Sequence, residues 1–374
     1  MRTLGRYLWR EIATATAFVL LALVGVFSLF DVINQMGEVG RADYHVGHAL
    51  LFVLLLVPAH AYELMPIATL IGTIYALSRL AASSEFTIMR VSGMGTVDLV
   101  RAVMRAGLAF AALAFLLGEA VAPPAENLAQ RFKTRAQGLG VGAEFRSGTW
   151  VRDLARADAG EPERLRFVNV ERVEPDGAVL GWRIFEFDPA LHLRSLATAA
   201  SGTYERGQGW LLRDVVETRL PPLESDAQAG DVQVHQDPVR LWRSELTPAI
   251  FGVLMVQPER QSVVGLVRYL RHLADNHQRT DRYETALWKK LFYPIICMVM
   301  MALALPFAYL HVRAGTVSVK IFAGIMIGVV FYALNRLFSH LGALNTWPPV
   351  LVAGLPAVVA LVCALGALAW IERR

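Results

Sequence analysis

Charge is scarce in this chain. Of its 374 residues only 18% are Asp, Glu, Lys or Arg, while 55% are hydrophobic and the mean hydropathy is +0.42. That balance excludes an ordinary soluble domain. Cysteine is scarcer still. Cys297 and Cys363 are the only two, and both fall in apolar runs where packing is their natural role. No disulfide framework follows from them, and they say nothing about redox compartment. No GxxxxGK[ST] stretch occurs, so the chain lacks a phosphate-cradling loop and is not expected to hydrolyse ATP itself. HExxH, GxSxG and CxxC are missing too. His272 and His277 are five apart, which on a helix sends them to different faces, so they read as solvated rather than metal-ligating. Glu63 and Glu119 are the only acids placed for intramembrane chemistry, and such acids raise a functional question by default. They are far apart in sequence. Glu119 lies close to a helix end and Glu63 near a kink, where water or backbone can pair them. Catalysis by this chain is not indicated.

What is present is a series of long apolar windows, each near the roughly 20 residues that a helix needs to span a bilayer core. They recur through the chain, so a cleaved leader does not explain them. Six spans are read at about 12–34, 60–79, 99–122, 291–311, 319–340 and 348–371. Residues 47–57, "GHALLFVLLLV", are too short to cross alone. They either extend the second span through a kink near Pro58 and Pro66 or lie at the interface. The third span is expected to stop at "APPAEN", where paired prolines end a helix.

Cations in the short loops set the orientation. Arg2, Arg6 and Arg10 precede span one; Arg79, Arg90, Arg101 and Arg105 surround the connection between spans two and three. Arg313 and Lys320 join spans four and five, and Arg373 and Arg374 close the sequence. The opposite side offers Arg41 and Arg336. This asymmetry places both termini in the cytoplasm.

Residues 123–290 then face outward, between a first helical unit at 1–122 and a second at 291–374. Runs such as "LRFVNVERV" and "GWRIFEFD" alternate apolar and polar residues, as half-buried strands do. "EPDGA", "ERGQGW" and "PPLESDAQAGD" mark turns between them. Trp150, Trp182, Trp210 and Trp242 read as core anchors of a β sandwich or jelly roll. Acids and bases are nearly balanced in this insert, which argues against a polyanion-binding patch. After the strands, "SVVGLVRYLRHLAD" places Val263, Val267, Leu270 and Leu273 on one helical face. The expected fold is an α-helical integral membrane protein of six spans, with a β domain, sandwich or jelly roll, between the third and fourth.

The connection "LSRLAASSEFTIMRVSGMGTVDLVR", Leu77 to Arg101, carries a compact amphipathic segment at about 84–93. Ser84 is placed to cap a short helix, and Glu85 in its first turn suits the positive end. Phe86 and Met89 share a face with Ile88 beside it, and Gly93 and Gly95 can end the helix after about two turns, roughly 12 Å. The apolar ridge either rests on the lipid surface or fits a groove on a cytoplasmic partner.

"LGRYLWREI", "SSEFTIMRVSG", "GEAVAPPAE", "WKKLFYPI" and "IMIGVVFYALNRLF" occur in that order along the chain. Together they resemble the LptF/LptG permease family of lipopolysaccharide export, over essentially the whole sequence, with the first and last nearer the LptG branch. The resemblance implies a heterodimer with an LptF-like paralogue in the bacterial inner membrane and an LptB-like ATPase dimer beneath it. It also implies a periplasmic jelly roll that passes lipid through an LptC-like protein to an LptA-like bridge. The helix after span two would be the coupling helix, with Glu85, Phe86, Met89 and Arg90 as its contact residues. This chain is expected to bind no cofactor; ATP and magnesium would be used by the partner ATPase.

Cations flank the outer span ends: Arg131, Lys133 and Arg135 after span three, Lys289 and Lys290 before span four, and Arg336 at the end of span five. They either anchor the protein at the interface, as Trp288 beside Lys289 suggests, or meet lipid phosphates. For the lysine pair anchoring is the favoured reading. The position of Lys133 matches a lipid-contacting basic residue of the family. Where family members carry lysines at the outer end of span one, this sequence has Ser28, Asn34 and Gln35, so Arg336 is the candidate to compensate from span five. Spans one and five form the family's lateral gate, which makes Phe30 and Tyr332 the candidate cavity residues. Two rivals remain: an ion-coupled permease, which would want charge buried mid-span, and a membrane-anchored signalling or scaffold protein linking the outer β domain to a cytoplasmic partner.

Overall fold

The computed structural model describes residues 2–137, 148–155, 164–174, 177–205, 208–221, 231–244, 246–248, 250–251, 258–275, 278, 280–309, 317–345 and 347–372. His277, Arg313, Arg373 and Arg374 lie outside the described residues. The helices before the sheet are α1 (Arg2–Met36), α2 (Val46–Ala82), α3 (Glu85–Val91), α4 (Thr96–Leu116) and α5 (Ala122–Ala136), with a π-helical turn, Leu117–Val121, between the last two. Six strands follow: β1 (Thr149–Ala155), β2 (Arg164–Val173), β3 (Val179–Phe187), β4 (Leu193–Glu205), β5 (Gly209–Arg219) and β6 (Gln233–Trp242). After them come α6 (Val263–Asp275), α7 (Asp281–Ala304), α8 (Pro306–Tyr309), α9 (Val317–Asn345) and α10 (Pro349–Glu372). Among the described residues six helical stretches are long and apolar enough to cross a membrane.

Residues 47–57 are not a separate element. They belong to α2, which runs for 37 residues through Pro58 and Pro66. A proline inside a helix leaves the carbonyl four residues earlier without its N–H donor. For Pro66 that carbonyl is Tyr62's, and the Tyr293 hydroxyl of α7 donates to it. The neighbouring helix thus repairs the ladder that the proline breaks, as apolar surroundings demand.

The expectation that Pro123 and Pro124 end the third span is overturned. The helix widens into the π turn and resumes as α5, with proline in its first turn. The N–H that Pro123 lacks leaves a carbonyl of the π turn without a helical donor, and a side chain of α7 supplies one. Candidate span three therefore reaches Ala136.

α2 is the hub of the helical part, packing against α1, α4, α5, α7 and α9. Backbones approach closely at Gly72, where an added Cβ would lie 2.5 Å from the Thr16 Cα of α1. α7 packs on α4 and α10 as well as on α2.

The six strands form one antiparallel sheet in the order β1-β2-β3-β4-β5-β6. Each strand pairs with its sequence neighbour, in an up-and-down meander. Its buried face is covered by Leu246, Ile250 and Phe251 and by Tyr269 and Leu273 of α6. Trp182 and Trp210 are buried there, with ring centroids 4.9 Å apart. Their indole N–H groups donate to the carbonyls of Val179, at 3.0 Å, and Leu246, at 2.7 Å. Trp242 packs at the edge of this cluster. Trp150 does not belong to it: 51% exposed, it stacks on Phe185 on the other face. The buried face of α6 is also rotated from expectation. It presents Leu266, Tyr269 and Leu273 inward, while Val263, Val267 and Leu270 are half-buried. His272 is buried beside the Tyr269 ring rather than solvated.

Candidate functional site

α3 is seven residues long, too short to be stable by itself. It is held from inside. Phe86 and Met89 are buried in a cluster that includes Leu80, Leu99, Met301 and Leu305. Phe86 meets the Tyr309 ring edge-on, 5.3 Å between centroids. The Arg90 guanidinium lies 5.6 Å from the same ring, a cation–π geometry. The predicted ridge therefore faces the protein interior, reaching neither lipid nor an external groove. The outer face is Ile88, 63% exposed, and Val91, 85% exposed, with Arg90 beside them.

The ends of α3 depart from the sequence expectation at Ser84 and at Gly95. Ser84 adopts a left-handed conformation, φ 61°, and makes no side-chain cap. The serine that acts is Ser83, whose hydroxyl donates to the Glu85 carboxylate at 3.0 Å. At the other end Gly93, φ +94°, donates to Arg90 O at 3.0 Å while Met94 donates to Met89 O at 3.1 Å. This is the paired bonding of a glycine-terminated helix. Gly95 instead opens α4.

Glu85 is half-exposed and accepts a hydrogen bond from the Tyr7 hydroxyl of α1 at 2.7 Å. That bond, and after it the one from Ser83, hold its carboxyl below the ordinary glutamate pKa. Beside it, Arg79 pairs with Glu11 of α1. The carboxylate is thus presented ionised and aimed by the first helix. Tyr7, Glu11 and Tyr309 are not legible in the sequence, because Tyr7 lies 78 positions from Glu85, Glu11 lies 68 from Arg79, and Tyr309 reaches Phe86 and Arg90 from beyond the sheet, so no periodicity links them.

At the opposite ends of the helices, Lys133 of α5 is an internal partner. Its ammonium lies 2.7 Å from Glu38, with the side chain only 14% exposed, and 5.2 Å from the Phe52 ring centroid. Burial raises the Glu38 pKa, but the bonds from Lys133 and Gln137 outweigh it and leave the carboxyl below its usual range. Arg131 and Arg135 are exposed, one turn apart on the same helix. Lys289 is half-buried, whereas Lys290 is buried and donates to Gly118 O at 3.1 Å. Interfacial anchoring does not describe Lys290. Arg336 is exposed, its guanidinium 5.6 Å from the Tyr332 ring. Phe30 is 61% exposed and Tyr332 53% exposed, and their helices, α1 and α9, each pack on α2 rather than broadly on one another. The structure thus brings Glu85, Phe86, Met89 and Arg90 into one unit, and leaves the remaining cations and aromatics dispersed along the other ends. Also unforeseen is the Asp31–His60 pair, 2.5 Å apart between α1 and α2. Among the described residues no group of His, Cys, Asp and Glu is arranged to hold a metal.

The profile of the family described as lipopolysaccharide export system permease LptF/LptG matches residues 6–371. The chain belongs to that family. Similar curated relatives of this LptF/LptG chain include the lipopolysaccharide export system permease protein LptG of Escherichia coli strain K12. It is 29% identical over 355 residues, 95% of this chain and 94% of that protein. The LptG of Haemophilus influenzae is 28% identical over 363 residues, 97% of each chain. The six apolar helices and the sheet between α5 and α6 are those of a multi-pass permease subunit of the lipopolysaccharide export system, a system of several components. The LptF/LptG membership also fits a chain that carries no phosphate-cradling loop of its own.

Proposed function

We propose that this permease is one half of an ATP-driven extractor that lifts lipopolysaccharide out of the bacterial inner membrane. Both termini and α3 face the cytoplasm, and the sheet faces the periplasm. An LptF-like paralogue completes the lipid cavity and an LptB-like ATPase dimer grips α3. The ATPase uses ATP and magnesium, while this chain binds no cofactor. Lipid leaves through an LptC-like protein to an LptA-like bridge.

The observation that carries this reading is the construction of α3. A short helix welded to α2, α4, α7 and α8 by Phe86 and Met89, with Ile88, Arg90 and Val91 outward and an ionised Glu85 at its tip, is a lever that a partner can push. Phe86 and Met89 serve the coupling by fixing the lever; Glu85 and Arg90 meet the partner. On the other side Lys133, Arg131, Arg135 and Arg336 are the candidate contacts for lipid phosphates, with Phe30 and Tyr332 beside the acyl chains. Lys133 meets phosphate only by exchanging its bond to Glu38, an exchange between two anions that it binds by the same charge-assisted chemistry.

The test is Glu85→Ala in the assembled complex. ATP hydrolysis is expected to persist while export of lipopolysaccharide falls, with membrane insertion unchanged. Full export would remove Glu85 from the mechanism. In parallel, photo-crosslinkers at Phe30 or Tyr332 are expected to capture lipopolysaccharide, and Arg336→Gln to weaken that capture.

A further inference from the structure

The π turn between α4 and α5 leaves a backbone group that the helix cannot satisfy. In this turn the N–H of Ala122 donates to Leu117 O, five residues back. In the same register the carbonyl of Gly118 falls opposite Pro123, which has no N–H. A carbonyl stranded in an apolar setting is costly, and Lys290 supplies the donor at 3.1 Å. Three residues on along α7, Tyr293 serves the Tyr62 carbonyl left open by Pro66. The rings of Tyr62 and Tyr293 lie 4.2 Å apart, and the Lys290 ammonium lies 5.7 Å from the Tyr62 ring centroid. Lys290 and Tyr293 of one helix therefore fasten two proline-made gaps in two others.

The next residue of the turn reaches the sheet domain. The carboxylate of Glu119 accepts the N–H of Val263 at 2.8 Å and that of Val264 at 3.4 Å. These are the first two amides of α6, where the helix dipole favours an anion. α6 in turn places Tyr269 and Leu273 in the sheet core with Trp182 and Trp210. A cavity of about 10 Å³ bounded by Tyr62, Gly118, Glu119, Val263, Lys290 and Tyr293 lies at the joint, space for one water.

We propose that Glu119 and Lys290 are positioning residues for export: they lock the π turn to α6 and α7, so that a displacement of α4 reaches the sheet domain as a rigid movement. α4 begins five residues after α3 ends, and the inference rests on the reading of α3 as the driven end. Widened turns yield more easily than α-helix, and without the two side chains this one would absorb the motion.

The full complex in lipid nanodiscs, with Glu119→Ala, Lys290→Met and Lys290→Arg in this chain, tests the joint. Amide hydrogen exchange at Val263 and Val264 is expected to rise about tenfold or more in Glu119→Ala, as loss of a bond to a charged acceptor implies. Export is expected to fall at least about tenfold in Glu119→Ala and Lys290→Met, with ATP turnover within about twofold and the complex folded and fully assembled at the assay temperature. Lys290→Arg, which keeps a donor for Gly118 O, is expected to restore export. Faster exchange with full export would make the joint merely structural and overturn the proposal. So would unchanged exchange, or failure of both Lys290 variants alike. Export by the unaltered complex without ATP would instead overturn the reading of α3, while the exchange data would still decide whether the joint exists.

Discussion

Removing the Phe86 ring tests whether α3 is held by what lies beneath it. Phe86 is 6% exposed, so Phe86→Ala forfeits about 1.5–3 kcal/mol of apolar burial and, with the cavity left behind, about 3–5 kcal/mol. A seven-residue helix has no reserve of its own against that loss. The supports that remain are Met89, the turn at Gly93, and the exposed Tyr7–Glu85 and Arg90–Tyr309 contacts, which water screens. A loss of about 3 kcal/mol raises the undocked fraction more than about 100-fold, and α3 opens as a local unit rather than with the whole protein. Hydrogen exchange reports this directly. The amides of Ser92, Gly93 and Met94 donate to Ile88, Arg90 and Met89 carbonyls, and their protection should drop by about two orders of magnitude in Phe86→Ala. Ile88→Ala on the outer face, 63% exposed, should change stability by no more than about 0.5 kcal/mol and leave protection as it was. The reasoning is refuted if Phe86→Ala lowers protection less than about tenfold, or if Ile88→Ala lowers it equally.

Three further outcomes follow from packing and charge. Gly72→Val should force α1 from α2, since a Cβ there meets the Thr16 backbone at 2.5 Å; a cost of about 1–3 kcal/mol would appear in the unfolding midpoint of the solubilised protein, whereas Gly25→Ala, with nothing within 4 Å, should be close to neutral. Trp210→Ala should cost about 3–5 kcal/mol and Trp150→Ala about 1 kcal/mol or less, because the first ring is fully buried and the second half in solvent; equal losses by tryptophan fluorescence would contradict the assigned faces. Acid should loosen the β5–β6 pair. Burial raises the pKa of Glu217, but hydrogen bonds from Arg219 and Arg240 reverse that and leave it below the ordinary 4.5. Its contribution is therefore complete above that value and lost as pH falls through the lower folded one. Glu217→Gln should remove this acid-side loss in a pH series of near-ultraviolet circular dichroism.

Spans, strands and the short helix were legible because each leaves a local signature: length without charge, period-two alternation, and an acid followed by spaced apolar residues and glycine. What the sequence did not disclose depends on which neighbour arrives. Pro123 and Pro124 look like a stop, yet the widened turn before them and Lys290, 172 positions from Gly118, let the helix go on. Trp150 resembles its three counterparts in spacing, but which face of a strand is inward depends on what covers the sheet, and that cover comes from α6 and from Leu246, Ile250 and Phe251. The ridge of α3 is legible as apolar, but its inward direction is not. Phe86 and Met89 define a face, and only Tyr309 and Leu305 tell which way it turns. Within the candidate site Glu85 was legible as an acid at a helix start, whereas the Tyr7 bond that aims it joins two helices 78 positions apart.

The sequential order of the strands bears on how the protein is made. Because β1 to β6 each pair with the next, hairpins can zip one after another during synthesis, the low-separation contacts that fold fastest. Closure of the domain interior nevertheless waits for Tyr269 and Leu273, which leave the ribosome just before Asp281 opens α7. Maturation of the sheet domain and threading of the last three spans are thereby placed end to end, and a ribosomal pause late enough for Leu273 to have cleared the exit tunnel would favour completing the first before the second begins.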